Sequence, residues 1–189
     1  MKRSVQIGAL RIGGGAPVRV ESMLKVSLSN REACAAQCAS LLRVGCEMAR
    51  VALPRPELAP DLKWLVFNTD LTLMADIHFD PTLAVLAMEA GCRAIRINPG
   101  NMPLNRLNDV IQTAKALGVT IRIGANGGSV SGRQLEAAGG DRAVALYIAV
   151  REQAELLLGA GFEDLILSAK SSSVPECVRA NVLIAREYP

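Results

Sequence analysis

Leu71-Thr72-Leu73-Met74-Ala75-Asp76-Ile77-His78 is a short apolar run that turns charged at its end, and Asp80-Pro81 follows almost at once. A run of this length bounded by turn formers reads as a buried strand over 71–75. Aspartate caps a helix and proline suits its first position, so a helix opens there and closes near Gly91. The same unit recurs on either side. Residues 94–97 form a strand that delivers Arg96-Ile97-Asn98, 105–117 a helix closed by Gly118, and 119–123 a strand that delivers Arg122 through Asn126. Upstream, Ser29 or Asn30 caps a helix to Val44, 48–53 is a strand carrying Arg50, and 56–67 is a helix. Downstream, residues 124–140 hold six glycines and two serines and read as a long loop. Asp141 opens a helix to about Gly159, 164–167 is a strand followed by Lys170, and 174–188 is a last helix.

With a first strand over 18–23, six strands alternate with six helices, which implies parallel β-α units with right-handed crossovers. The rim clusters lie about 20 to 28 residues apart through the fifth unit, room for one strand, one helix and two loops. An open doubly wound sheet would alternate in the same way. No G-x-G-x-x-G follows the first strand, however, and Gly13-Gly14-Gly15 precedes a strand where a nucleotide loop would precede a helix. The fold class is therefore α/β, a TIM-barrel-like (β/α) arrangement, with a short N-terminal β-hairpin from 5–7 and 10–12. At 189 residues the chain falls short of the ~250 of an ordinary eight-unit barrel. It reads as a single partial barrel domain over 1–189, with about six of eight units.

In such sheets the chemistry gathers at the C-terminal rim. Arg50, Asp76, His78, Arg96, Asn98, Arg122, Asn126 and Lys170 all fall there. Guanidinium forks match phosphate oxygens bidentately and stay charged, so the convergence describes a pocket for phosphate or diphosphate. His78, the sole histidine, is the side-chain type suited to moving a proton near neutral pH. Other function classes recede. A net charge of +3, with three Phe, two Tyr and one Trp, argues against a nucleic-acid surface. Cys34, Cys38, Cys46, Cys92 and Cys177 show no C-x-x-C pair; reduced thiols fit better than disulfides, and the Cys34/Cys38 pair reads as helix core, so no metal site is expected. The N-terminus lacks a signal-peptide h-region and no apolar run is long enough to span a membrane, which leads us to expect a cytoplasmic protein.

Val5-Gln6-Ile7-Gly8 with Ile12-Gly13-Gly14, then Val20-Glu21-Ser22-Met23, Ala75-Asp76-Ile77-His78-Phe79-Asp80, Arg96-Ile97-Asn98-Pro99-Gly100-Asn101 and Arg122-Ile123-Gly124-Ala125-Asn126-Gly127-Gly128-Ser129 resemble, in order, the barrel domain of the 4-hydroxy-3-methylbut-2-enyl diphosphate synthases. The resemblance covers essentially the whole chain and about the first half of the family's usual bacterial length. It implies an oxidoreductase of the methylerythritol phosphate route to isoprenoids. The reaction would be reductive opening of methylerythritol 2,4-cyclodiphosphate to hydroxymethylbutenyl diphosphate at a [4Fe-4S] cluster, with flavodoxin or ferredoxin as electron donor. In the family three cysteines and a glutamate of a separate C-terminal domain hold the cluster and, in the bacterial homodimer, close over the partner's barrel. That domain is expected to be absent here, and no cluster is expected on this chain.

Position by position, the family's diphosphate-clamping arginines fall on Arg50, Arg96 and Arg122, its loop asparagine on Asn126 and its lysine on Lys170. Asp76, His78 and Asn98 match the inner rim, with Asp76 and His78 in the catalytic places. The chain departs at Glu21, where the family usually has glutamine, at Leu24-Lys25-Val26 in place of Thr-Asn-Thr, and at Pro81-Thr82 in place of Tyr-Arg. The alternatives are a truncated, non-catalytic diphosphate-binding barrel and a barrel enzyme similar to dihydropteroate synthase. A sheet of six units would leave edges at 18–23 and 164–167, so a homo-oligomer is expected.

Overall fold

The computed structural model describes residues 3–78, 80–99 and 102–188. Six strands, β3 (Glu21–Met23), β4 (Met48–Ala52), β5 (Thr72–Asp76), β6 (Ala94–Arg96), β7 (Thr120–Asn126) and β8 (Leu165–Lys170), pair in chain order. Every pairing is parallel. The crossovers are α1 (Arg31–Arg43), α2 (Ala59–Phe67), α3 (Pro81–Glu89), α4 (Leu104–Leu117), then α5 (Gly132–Ala137) with α6 (Arg142–Gly159), and α7 (Val174–Glu187) follows β8. Strands β1 (Ser4–Ile7) and β2 (Leu10–Gly13) form the antiparallel hairpin. The TIM-barrel-like class stands as read.

Local chemistry explains the boundaries. Asn30 caps α1, its Oδ1 accepting from Ala33 N at 3.1 Å, and Asp80 caps α3 by accepting from Thr82 N at 2.8 Å. Asp141 accepts from the amides of Ala143 and Val144 at the start of α6. Gly118 ends α4 with φ +62°, a left-handed conformation that costs glycine little. Two expectations need correction. The strand expected over 18–23 shrinks to β3, because Val18 and Val20 are exposed and the Val20 amide donates to the Glu47 carboxylate instead of a strand. The loop expected over 124–140 is largely regular: β7 runs on to Asn126, Gly127–Ser129 form a 3₁₀ turn, and Ser131 and Gln134 box the start of α5.

Strand periodicity sorts the side chains onto two faces. Ala49, Val51, Leu73, Ala75, Ile95, Ile97, Ile121 and Ile123 are buried under the helices together with Cys34, Cys38, Leu62, Leu83 and Ile111. Each large side chain sealed there contributes about 1.5–3 kcal/mol. Their alternates line the concave face. At its lower end Met48, Met74 and Ala94 close around Ile7 of the hairpin, with Ile12 and Ile166 packed against them. Thr120 Oγ1 ties the hairpin down by donating to the Gln6 carbonyl at 3.1 Å. One step up each strand the concave face becomes charged. Among the described residues no helix is long and apolar enough to cross a membrane.

Candidate anion-binding site

Above the plug formed by Ile7, the inward positions of four neighbouring strands carry Arg50, Asp76, Arg96 and Arg122. Asp76, Arg96 and Arg122 are linked directly by register, Asp76 opposite Arg96 and Arg96 opposite Arg122. On β8, Lys170 stands opposite Asn126. A cavity of about 180 Å³ opens among Arg50, Asp76, Arg96, Arg122, Asn126 and Lys170. These are six of the eight expected site residues. His78 and Asn98 are not among its described lining: His78 Nε2 lies 4.0 Å from Asp76 Oδ1 with its ring largely exposed, and Asn98, half-buried, follows β6 two positions after Arg96.

Two carboxylates organise the guanidiniums. Asp76, 5% exposed, accepts from Arg96 Nη1 at 3.2 Å and faces Arg50 Nη1 at 3.9 Å. Glu21 takes both of its hydrogen bonds from Arg122 Nη1, at 2.8 and 2.9 Å, and lies 3.6 Å from Arg50 Nε. Since β3 and β7 are separated by three strands in the sheet order, the Glu21–Arg122 contact shows how strongly the sheet curls. Arg122 Nη2 also donates to Ser168 Oγ at 3.3 Å, and Arg50 Nη2 lies 3.3 Å from Met23 Sδ. Lys170 makes no ion pair among the described residues and stands exposed at the end of β8. Four cations against two carboxylates leave an excess of positive charge, which suits an anion with two or more charges. Asn126 shapes the lip: its Oδ1 accepts from Gly128 N at 3.4 Å, and its backbone N–H donates to Ser129 Oγ at 3.2 Å.

Glu21 and Ser168 are the site residues missed by sequence reading. Ser168, two before Lys170, follows from period two once β8 has its proper bounds; Glu21, two before Met23, sits on a strand of only three residues, too short for that pattern to mark it. The thiols lie elsewhere. Cys34, Cys38, Cys46 and Cys92 are buried on the helix side, and burial pushes the Cys92 thiol up to about 12. Cys34 and Cys38 are core residues, as expected.

Residues 2–189 match the GcpE TIM-barrel domain. The 4-hydroxy-3-methylbut-2-en-1-yl diphosphate synthase (flavodoxin) of Thermotoga maritima is 44% identical over 191 residues, an alignment that covers 100% of this chain and 54% of that protein. The synthase of the same name from Aquifex aeolicus is 38% identical over 184 residues, covering 97% of this chain and 52% of the relative. The chain thus spans about half the length of the curated relatives it matches. Among solved structures, dihydropteroate synthase of Yersinia pestis superposes with a TM-score of 0.67 at 13% identity, covering 98% of this chain and 71% of that one. The Xanthomonas albilineans enzyme gives 0.65 at 17% identity, covering 98% and 73%. Likeness at that identity concerns the fold alone. The family match over residues 2–189 and the sequence shared with the synthases place this chain in the GcpE TIM-barrel family, that of the 4-hydroxy-3-methylbut-2-en-1-yl diphosphate synthases.

Proposed function

We propose that this chain is the substrate-binding barrel of a 4-hydroxy-3-methylbut-2-en-1-yl diphosphate synthase, and that it holds methylerythritol 2,4-cyclodiphosphate for reductive ring opening. The observation that carries this reading is the meeting of Arg50, Arg96, Arg122 and Lys170, from four different strands, in one cavity. In this reading the arginines and Lys170 hold the diphosphate, while Asn126 and Asn98 close on it from the lip. Asp76 orients Arg96 and Arg50. His78, beside Asp76, delivers a proton to the ring oxygen as its bond to carbon breaks.

The ring opening also needs two electrons. A [4Fe-4S] cluster of the family kind requires four ligands, and this chain's thiols do not fit it. Four of the five are sealed in the helix-side core, and among the described residues no group of three or more His, Cys, Asp or Glu converges on a metal position. No reduction step is therefore assigned to these residues. Electron delivery, with flavodoxin as the donor carried in the relatives' names, is assigned to the full-length protein.

Calorimetry with the cyclic diphosphate and with inorganic pyrophosphate tests the pocket. Wild type is expected to bind both, and Arg122→Ala to lose about 2–3 kcal/mol of that binding. Wild type and variant equally indifferent to either compound, with both folded by circular dichroism, would sink the proposal.

A further inference from the structure

The two carboxylates that hold the cavity's arginines are themselves held in different ways. Asp76 lies on β5, within the sheet, sealed between Arg96 and Arg50. Glu21 lies on β3, an edge strand of three residues bonded to one neighbour, and its side chain remains 23% exposed. It reaches across the concave face to place both oxygens on a single nitrogen of Arg122. That arrangement uses the charge of Arg122 but not the parallel two-nitrogen fork that makes guanidinium pairs strongest. Arg122 Nη2 is left with the longer contact to Ser168, and the buried Nε of Arg50 has no hydrogen-bond partner among the described residues although Glu21 Oε1 is 3.6 Å away.

Donors under-used in this way, beside a tethered and partly solvated carboxylate, suit partner exchange. We propose that Glu21 is a placeholder counter-ion: it keeps Arg122 and Arg50 in position, and an incoming phosphate displaces it from both. The inference rests on the anion-pocket reading above. It makes Glu21 a positioning and selectivity residue, because a tethered carboxylate acts at high effective concentration. A free monocarboxylate brings the same chemistry and cannot compete with it. A phosphate or diphosphate brings more charge, reaches Arg96 and Lys170 as well, and displaces it.

The test is Glu21→Gln, which keeps the side chain's length and an oxygen for Arg122 while removing the charge. Pyrophosphate is expected to bind this variant about tenfold tighter than wild type or better, since the competing charge is gone. Without pyrophosphate the variant should melt lower, because two arginines lose a counter-ion. Acetate, compared with chloride at equal ionic strength, should restore its melting temperature and compete with pyrophosphate in the variant, and do neither in wild type. Glu21→Gln that binds pyrophosphate no tighter, while Arg122→Ala still loses binding, overturns the placeholder role and leaves the pocket standing. Failure of wild type and Glu21→Gln alike to bind pyrophosphate overturns the pocket itself and this inference with it.

Discussion

Asp76 shows why the proposed anion site has a carboxylate among its arginines. Arg50 and Arg96 project from strands on either side of it, and without a charge between them they would repel each other in partly buried surroundings. Asp76→Asn preserves the shape but leaves both guanidiniums uncompensated, so chemical denaturation should show a loss of about 2–4 kcal/mol. A denaturation midpoint matching wild type would mean that the arginines are solvated well enough alone. The thiols give a second residue-level test. In the native protein a thiol-reactive disulfide reagent should modify Cys177, which is half-exposed, and spare Cys34, Cys38, Cys46 and Cys92, which are buried. All five should react once the chain is unfolded. Burial raises the Cys92 thiol from 9.0 to about 12, so the unfolded chain ionises first, and the stability this thiol contributes below pH 9 is lost as pH climbs toward 12. Arg50, Arg96, Arg122 and Lys170 were legible because each follows an apolar run. Glu21 was not, because its strand has only three residues, all half-buried, and alternation reveals no face.

The pairing of β7 with β8 is the element on which the cavity wall depends. Gly124 lies opposite Ser168, and a Cβ placed there would sit 2.2 Å from the Ser168 carbonyl oxygen and 2.8 Å from its Cβ. The strands approach this closely only because the position is glycine. Gly124→Ala should therefore cost about 1–3 kcal/mol and weaken pyrophosphate binding as β8 shifts with Lys170; a variant of unchanged stability would show that β8 gives way freely. The same glycine explains the misread loop. Six glycines within 124–140 suggest irregular chain, yet Gly124 belongs to a strand, and the Asn126/Ser129 and Ser131/Gln134 pairs are cap signals hidden among them. The helices were easier to read, since Asn30, Asp80 and Asp141 are each a capping residue type at the head of a helical stretch and each proves to be the cap.

Across the whole molecule, β3 and β8 each pair with one neighbour within this chain. Such edges are templates for association, and the 189-residue chain is expected to self-associate through them in solution. Light scattering that gave a monomer melting cooperatively would refute this. The order of the six central strands was readable because parallel units connect in sequence. The packing of the hairpin into the lower end of the concave face was not, since nothing local in Val5-Gln6-Ile7 says what it will meet. That plug has a consequence in time. Gln6 bonds a residue 114 positions onward and Glu21 one 101 positions onward, so the hairpin and β3 must wait for β7 before they find their places. Contacts of such long range are made late and slowly. The proposed anion pocket, whose base is the hairpin and whose wall is β7 and β8, is therefore finished only once all the strands between them have been laid down.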